Sequence, residues 1–143
     1  MSRLPIHFFS EETSFSPKAK TALRNWINET ILSEKHQLQE LNFIFCSDEY
    51  LLKINQQYLD HDTYTDIITF DNSEEKGEIY GDIFISIDRV RENAKEFKTT
   101  LINELHRVVI HGTLHLLGYP DKKKADKEKM TAKENQYLAI RNF

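Results

Sequence analysis

The sequence predicts an α+β fold: a single compact domain with one mixed β-sheet of about four strands covered by about five helices. Three observations point to it. The chain has 143 residues, 39% of them hydrophobic, which suits a single core and one domain over residues 1–143. Short β-leaning apolar runs are interleaved with two amphipathic stretches as far as Ile87, and from Asp88 onward the pattern is helical throughout. The longest helical stretch, Leu101 to Leu117, is largely apolar yet carries two histidines four positions apart.

Taken in order, Leu4 to Phe9 reads as a first strand, placed at a sheet edge by Pro5, which lacks the N–H that a central strand needs. Ser16-Pro17 supplies an N-cap and a first-turn proline, and Ala19, Leu23, Trp26, Ile27 and Ile31 follow at helical spacing to an end near Ser33. Leu41 to Ser47 holds the apolar run Phe43-Ile44-Phe45 of a buried strand. Ser47-Asp48 then caps a second helix through Tyr58, with Leu51, Leu52, Ile54 and Tyr58 as its apolar stripe. Asp66 to Asp71 and Ile79 to Ile87 are strands joined by the polar turn Asn72 to Gly77, a hairpin connection. Three helices follow: a short one through Phe97, the apolar one from Leu101 to Leu117, and a charged amphipathic one from about Ala125 to Ile140.

The formal net charge of −4 excludes a protein that binds polyanions over its whole surface, so any nucleic-acid contact must be local. The single cysteine, Cys46, has no partner for an internal disulfide and sits in an apolar run, as a buried and unreactive thiol would. No stretch approaches the roughly 18 apolar residues of a membrane span, and the first residues lack the layout of a signal peptide. A cytoplasmic protein with no membrane partner is expected. Four glycines and three prolines leave no flexible linker.

The helix over Leu101 to Gly118 begins after the capping candidates Thr99 and Thr100 and closes at Gly118, a natural C′ residue. On it His111 and His115 share a face with Cβ atoms roughly 5–6 Å apart, so both imidazoles can reach one divalent ion. A pair of core histidines bonded to carbonyls has the same spacing. The apolar surroundings, in which unpaired imidazoles are costly, and small Gly112, beside which a substrate could approach, favour the metal. Zinc commonly takes three protein ligands and leaves a fourth position to water. After Gly118 ends the helix, Pro120 prevents its resumption and the chain can fold back, which makes Asp121 the expected third ligand. Position 112 is glycine where H-E-x-x-H has glutamate, so the base of a typical zinc protease is missing. The remaining histidines, His7, His36, His61 and His106, show no such pairing and read as structural or solvent-facing, His61 having the strongest claim of the four to another role.

The string His111-Gly-Thr-Leu-His115-Leu-Leu-Gly118-Tyr119 resembles the signature H-G-x-L-H-L-x-G-Y-D-H of the YbeY family of bacterial endoribonucleases. The stretch from Asn55 to Phe70 is similar to the family's N-x-x-Y-R-x-x-D-x-P-T-D-V-L-S-F, and Gly81-Asp82-Ile83 resembles its G-D-I strand, so the resemblance covers roughly Asn55 to Asp121. It implies a zinc-dependent single-strand endoribonuclease that works with the small ribosomal subunit in 16S ribosomal RNA 3′-end maturation and ribosome quality control. There are two departures. The family's third ligand is usually the final histidine of the signature, whose place Asp121 takes, and the family's arginine is Leu59 here. A carboxylate is a competent zinc ligand, but harder and negative, so it lowers the Lewis acidity or shifts preference towards another metal. With Leu59 in place, another cation must meet the RNA backbone. Candidates are Arg89, Arg91, Lys95, Lys98, Arg107 and the run Lys122-Lys123-Lys124, which reads equally as a solvated start to the last helix. Arg107 stands four before His111 on the same face, where an ion pair would also explain it. Asp66, Thr69 and Asp82 are candidates to line the cleft, although polar residues at strand ends also satisfy turns.

The expected mechanism has the ion polarising a scissile phosphate and lowering the pKa of a bound water, with attack by the ribose 2′-hydroxyl open beside it. No side chain is assigned as nucleophile or base; Arg107, Asp66 and Asp82 are the candidate contributors. One rival is a ribosome-associated RNA-binding factor with a structural metal, favoured by Leu59 and the acidic balance and marked by a closed, four-ligand site. The other is a metal-dependent peptidase, for which the motif offers no base.

Overall fold

Strand alternation decides which residues enter which core, and the sheet separates two of them. The computed structural model describes residues 4–59 and 64–143. Its elements run β1 (Ile6–Glu11), α1 (Lys20–Ser33), β2 (Gln37–Cys46), α2 (Asp48–Leu59), β3 (Ile67–Asp71), β4 (Glu78–Ser86), α3 (Ile87–Glu96), α4 (Leu101–Leu116) and α5 (Lys124–Ala139). The sheet order is β1-β2-β4-β3. β1 pairs parallel with β2 and β2 parallel with β4, whereas β3 runs antiparallel to β4 as the arm of a hairpin. This is the mixed α+β sheet expected, with β1 at an edge.

Leu41, Phe43 and Phe45 of β2 and Ile79, Ile83 and Ile85 of β4 point into the main core, where they meet Leu23, Ile27 and Ile31 of α1 and Val109 and Leu114 of α4. Side chains one position out of phase, Cys46 and Ile68, join Leu51 of α2 in a smaller core on the opposite face, with Phe70 and Phe84 packed beside them. At about 1.5–3 kcal/mol for each fully buried large apolar side chain, the main core carries most of the stability. Burial, with Asp88 and Asp48 nearby, pushes the Cys46 thiol up to about 12, so it stays protonated.

Three local readings differ. Helix α1 begins at Lys20 rather than at Ser16-Pro17, with Ala19 at the N-cap in the left-handed region (φ 53°) and no side-chain cap. The preceding segment is held elsewhere: the Ser10 hydroxyl donates to the Phe15 carbonyl, and the Phe15 ring packs edge-on against Phe45 at 5.2 Å. Strand β2 starts at Gln37 rather than Leu41, because its polar first half pairs with Glu78 and Ile79 across an irregularity at Leu38/Glu40. In α2 the buried face is Leu51 and Asn55, while Tyr58, expected on the apolar stripe, is exposed. Ser47 caps this helix as expected, its hydroxyl accepting the Tyr50 N–H at 3.1 Å. Among the described residues no helix is long and apolar enough to cross a membrane.

Candidate metal centre

Helix α4 packs against β3 and β4 with Gly112 facing the sheet. A Cβ on Gly112 would stand 2.7 Å from Ile67 Cδ1 and 3.0 Å from Ile83 Cγ2, so any larger residue here must displace those isoleucine side chains of β3 and β4. Gly112 is thus buried against the sheet and does not open a path for substrate, contrary to its expected role. With Gly112 turned inward, His111 and His115 emerge along the rim of the helix, both partly exposed.

The helix then ends in a Schellman turn. Gly118 takes φ +104°, its N–H donates to the His115 carbonyl and the Tyr119 N–H to the Leu114 carbonyl, each at 3.0 Å. The turn is pinned from outside by Glu34 at the end of α1, which accepts from the Tyr119 and Tyr137 hydroxyls and, at 3.2 Å, from Lys133 Nζ. The chain folds back, and Asp121 Oδ2 arrives 3.2 Å from Nε2 of His111 and 3.2 Å from Nε2 of His115. The two rings stand nearly perpendicular, with centroids 4.6 Å apart. One donor atom from each of the three side chains lies within 4.8 Å of the others, and among the described residues no fourth histidine, cysteine or carboxylate joins the cluster.

The chemistry of this donor set fits a divalent cation. His115 Nδ1 lies 3.0 Å from the Tyr119 carbonyl, which can only accept, so Nδ1 carries the proton and Nε2 turns its lone pair to the common point. His111 Nδ1 lies 2.6 Å from Glu134 Oε2, the outer carboxylate often found behind a metal-bound imidazole. Burial works against a charge on His111, but the hydrogen bond and charge of Glu134, with Asp121 and Asp66, hold its pKa above the ordinary value. Burial likewise pushes Asp66 up, against the pull of His111. Several carboxylates thus converge on one small region, a concentration of negative charge that a bound cation would relieve.

A cleft of about 450 Å³ opens beside these donors, lined also by Asn55, Leu59, Asp66, Thr69 and Lys122. A family model described as Endoribonuclease YbeY matches residues 6–142. The chain belongs to that family. It is 54% identical over all of its length and all of theirs to the "Endoribonuclease YbeY" of Cytophaga hutchinsonii. To that of Flavobacterium psychrophilum it is 52% identical over 132 residues, which cover 92% of this chain and 94% of the relative. Among solved structures, the solution structure of a Thermotoga maritima protein superimposes with a TM-score of 0.65 at 32% identity, covering 93% of this chain and 86% of that one. As a member of the YbeY family the chain is a nuclease of the hydrolase class.

Within this YbeY-family fold the expected residues divide sharply. His111, His115 and Asp121 come together, and Asp66 and Thr69 line the cleft beside them. Asp82 does not. It pairs in register with Phe70, on the α2 side of the sheet, where it accepts from Asn42 and Asn72 at 3.0 and 3.4 Å. Arg107 also stays outside the cleft, bound to Glu134 at 2.9 Å and Asn135 at 3.3 Å. Of the other cations considered, Arg89 is taken by Asp48 through a double hydrogen bond, and Arg91, Lys95 and Lys98 are exposed on or just after α3. Lys122 alone of that group lines the cleft, together with Leu59 and the three donors. His7 pairs loosely with Glu40, His36 bonds the Glu34 carbonyl, and His106 is buried beside Arg141. His61, together with Asp60, Asp62 and Thr63, falls outside the described residues.

Glu134 is the functional-looking residue that sequence reasoning missed. On α5 it shares the buried face with Met130, Tyr137 and Leu138. A carboxylate interrupting such an inward stripe is the signal that could have found it, since an unpaired charge does not stay buried.

Proposed function

We propose that this protein is a zinc-dependent endoribonuclease that cuts single-stranded RNA in the cytoplasm, acting with the small ribosomal subunit in 16S ribosomal RNA 3′-end maturation and ribosome quality control. A single metal-hydrolase domain over residues 1–143 performs it. The observation that carries this reading is the convergence of two imidazole nitrogens and one carboxylate oxygen at the edge of an open cleft. Membership of an endoribonuclease family supports RNA as the substrate, and the matching motifs between Asn55 and Asp121 support the ribosomal role. Two imidazoles with one carboxylate suit zinc, and three protein donors rather than four among the described residues favour catalysis over a closed structural site.

His111, His115 and Asp121 would hold the ion, which supplies Lewis acidity towards a phosphoryl oxygen and acidifies water. The remaining work belongs to the cleft. Lys122 offers an ammonium to the phosphodiester backbone in the absence of an arginine at Leu59. Thr69 adds a hydroxyl to the lining of the same cleft, where ribose and phosphate oxygens would lie. Asp66 adds a carboxylate to the lining beside the donors, a group of the kind that takes up a proton from an attacking hydroxyl.

Elemental analysis of the purified protein should give about one zinc per chain, and Asp121→Ala should bring it close to zero. The same preparations, offered single-stranded RNA carrying the 3′ end of 16S ribosomal RNA, should cut and fail to cut respectively. Wild-type protein that holds zinc yet leaves the RNA intact would refute the reading in favour of a binding factor.

A further inference from the structure

The two nitrogens of His111 face two different carboxylates. Nδ1 is 2.6 Å from Glu134 Oε2, and Nε2 is 3.2 Å from Asp121 Oδ2. A neutral imidazole has one ring proton to give, so the carboxylates compete for it, and the loser meets a lone pair. If the proton sits on Nε2, it points into the donor cluster and removes both His111 and one Asp121 lone pair from use as ligands. If it sits on Nδ1, Nε2 is free to bind.

We propose that Glu134 is a positioning residue of the metal centre: its buried carboxylate holds the proton of His111 on Nδ1 and so keeps Nε2 open as a ligand atom. The inference rests on the reading of His111 as a metal ligand. The contact to Glu134 is the shorter one, and its side chain is 8% exposed against 37% for Asp121, so less water weakens it. Glu134 divides its oxygens: Oε2 serves His111, while Oε1 accepts from Arg107 at 2.9 Å. Arg107 donates to Oε1, which leaves Oε2 as the acceptor that faces Nδ1 and sets the direction of that bond. Packing gives no reason for a charge here. The position lies on the same inward face as Met130, Tyr137 and Leu138, where an apolar residue would fill the space without needing a partner.

The test uses metal-free protein with ¹⁵N-labelled histidine, at a pH above the titration of His111, with its signals assigned by their loss in His111→Asn. In wild-type protein the spectrum should show the proton on Nδ1. In Glu134→Gln, whose amide oxygen still accepts, it should stay there. In Glu134→Ala and in the shape-conserving Glu134→Met it should move to Nε2, facing Asp121. Zinc affinity, read by chelator competition, should fall about 10–100-fold in the Ala and Met variants and less in Gln. Melting temperatures identify any variant that has lost its fold, and the Met variant, which keeps the buried stripe apolar, covers that case. A proton still on Nδ1 in both the Ala and Met variants, or zinc affinity within about twofold of wild type in them, overturns the proposal. Wild-type protein that binds no zinc would instead sink the functional reading, and the proton's position would still decide the role of Glu134.

Discussion

His111 and His115 look equivalent in the sequence and are equidistant from Asp121, but they are braced in different ways. His115 leans on the carbonyl of Tyr119, four residues ahead in its own segment, and needs only the Schellman turn to be formed. His111 leans on Glu134, which arrives from another helix, and needs α5 to be docked and Arg107 to be in place. The first brace is local and neutral, the second distant and charged. A neutral carbonyl fixes orientation whatever the pH, whereas a carboxylate also strengthens the imidazole as a donor and ties it to the protonation of its surroundings.

Removing either imidazole should erase the distinction altogether. His111→Ala and His115→Ala are both expected to lose bound zinc and RNA cleavage; cleavage at the wild-type rate by a metal-free variant would end the metal reading. A narrower break is Gly118→Ala. Open space surrounds the position, so the cost is the left-handed backbone alone, about 1–2 kcal/mol of unfolding free energy measured by urea titration. The damage should fall on the local brace: the His115 and Asp121 resonances shift while the His111 contact to Glu134 persists. Equal disturbance at both histidines would show that the two braces are one unit.

The charged brace should also show itself in titration. Glu134 holds the pKa of His111 up in spite of burial, so in metal-free protein Glu134→Gln should lower the pH at which His111 loses its charge. The sign for stability follows: a raised folded-state pKa contributes stability fully present below the unfolded value near 6.5 and lost as pH rises through the folded value. Gln should flatten that loss, and an unchanged slope would count against the charge of Glu134. An effect that leaves the two braces untouched is expected at His106, the third histidine of α4, which is buried with Nδ1 accepting from Arg141 at 2.8 Å and is pushed down to about 4 by burial and by that cation. Here the sign reverses. Stability is complete above about 6.5 and declines as pH falls towards 4, and His106→Asn should reduce the decline measured between those values.

The same contrast separates what the sequence makes legible from what it hides. The local brace is legible: Gly118 and Pro120 mark the end of α4 and the fold-back that brings Asp121 to the histidine pair. The alternation in β4 and the polar Asn72 to Gly77 turn show the hairpin for the same reason, since each depends on neighbours in sequence. The distant brace is hidden, because Glu134 looks like one more charge on a charged helix until Arg107 and His111 are seen opposite it. Tyr58 and the start of α1 depart from their sequence pattern for a similar reason. Whether an aromatic is covered, or where a helix begins, is decided by tertiary contacts such as Phe15 on Phe45, which periodicity does not contain.

The nearness of α4 to the sheet has a wider consequence. The residue following the first histidine is where zinc peptidases station their glutamate, and in this protein that direction is walled off by two isoleucines. Gly112→Glu would therefore not endow the centre with proteolysis; it would wedge the helix off β3 and β4 and spoil the geometry it was meant to exploit. What stands in the way of a peptidase glutamate in this scaffold is the pair of side chains, Ile67 and Ile83, packed where it would have to emerge.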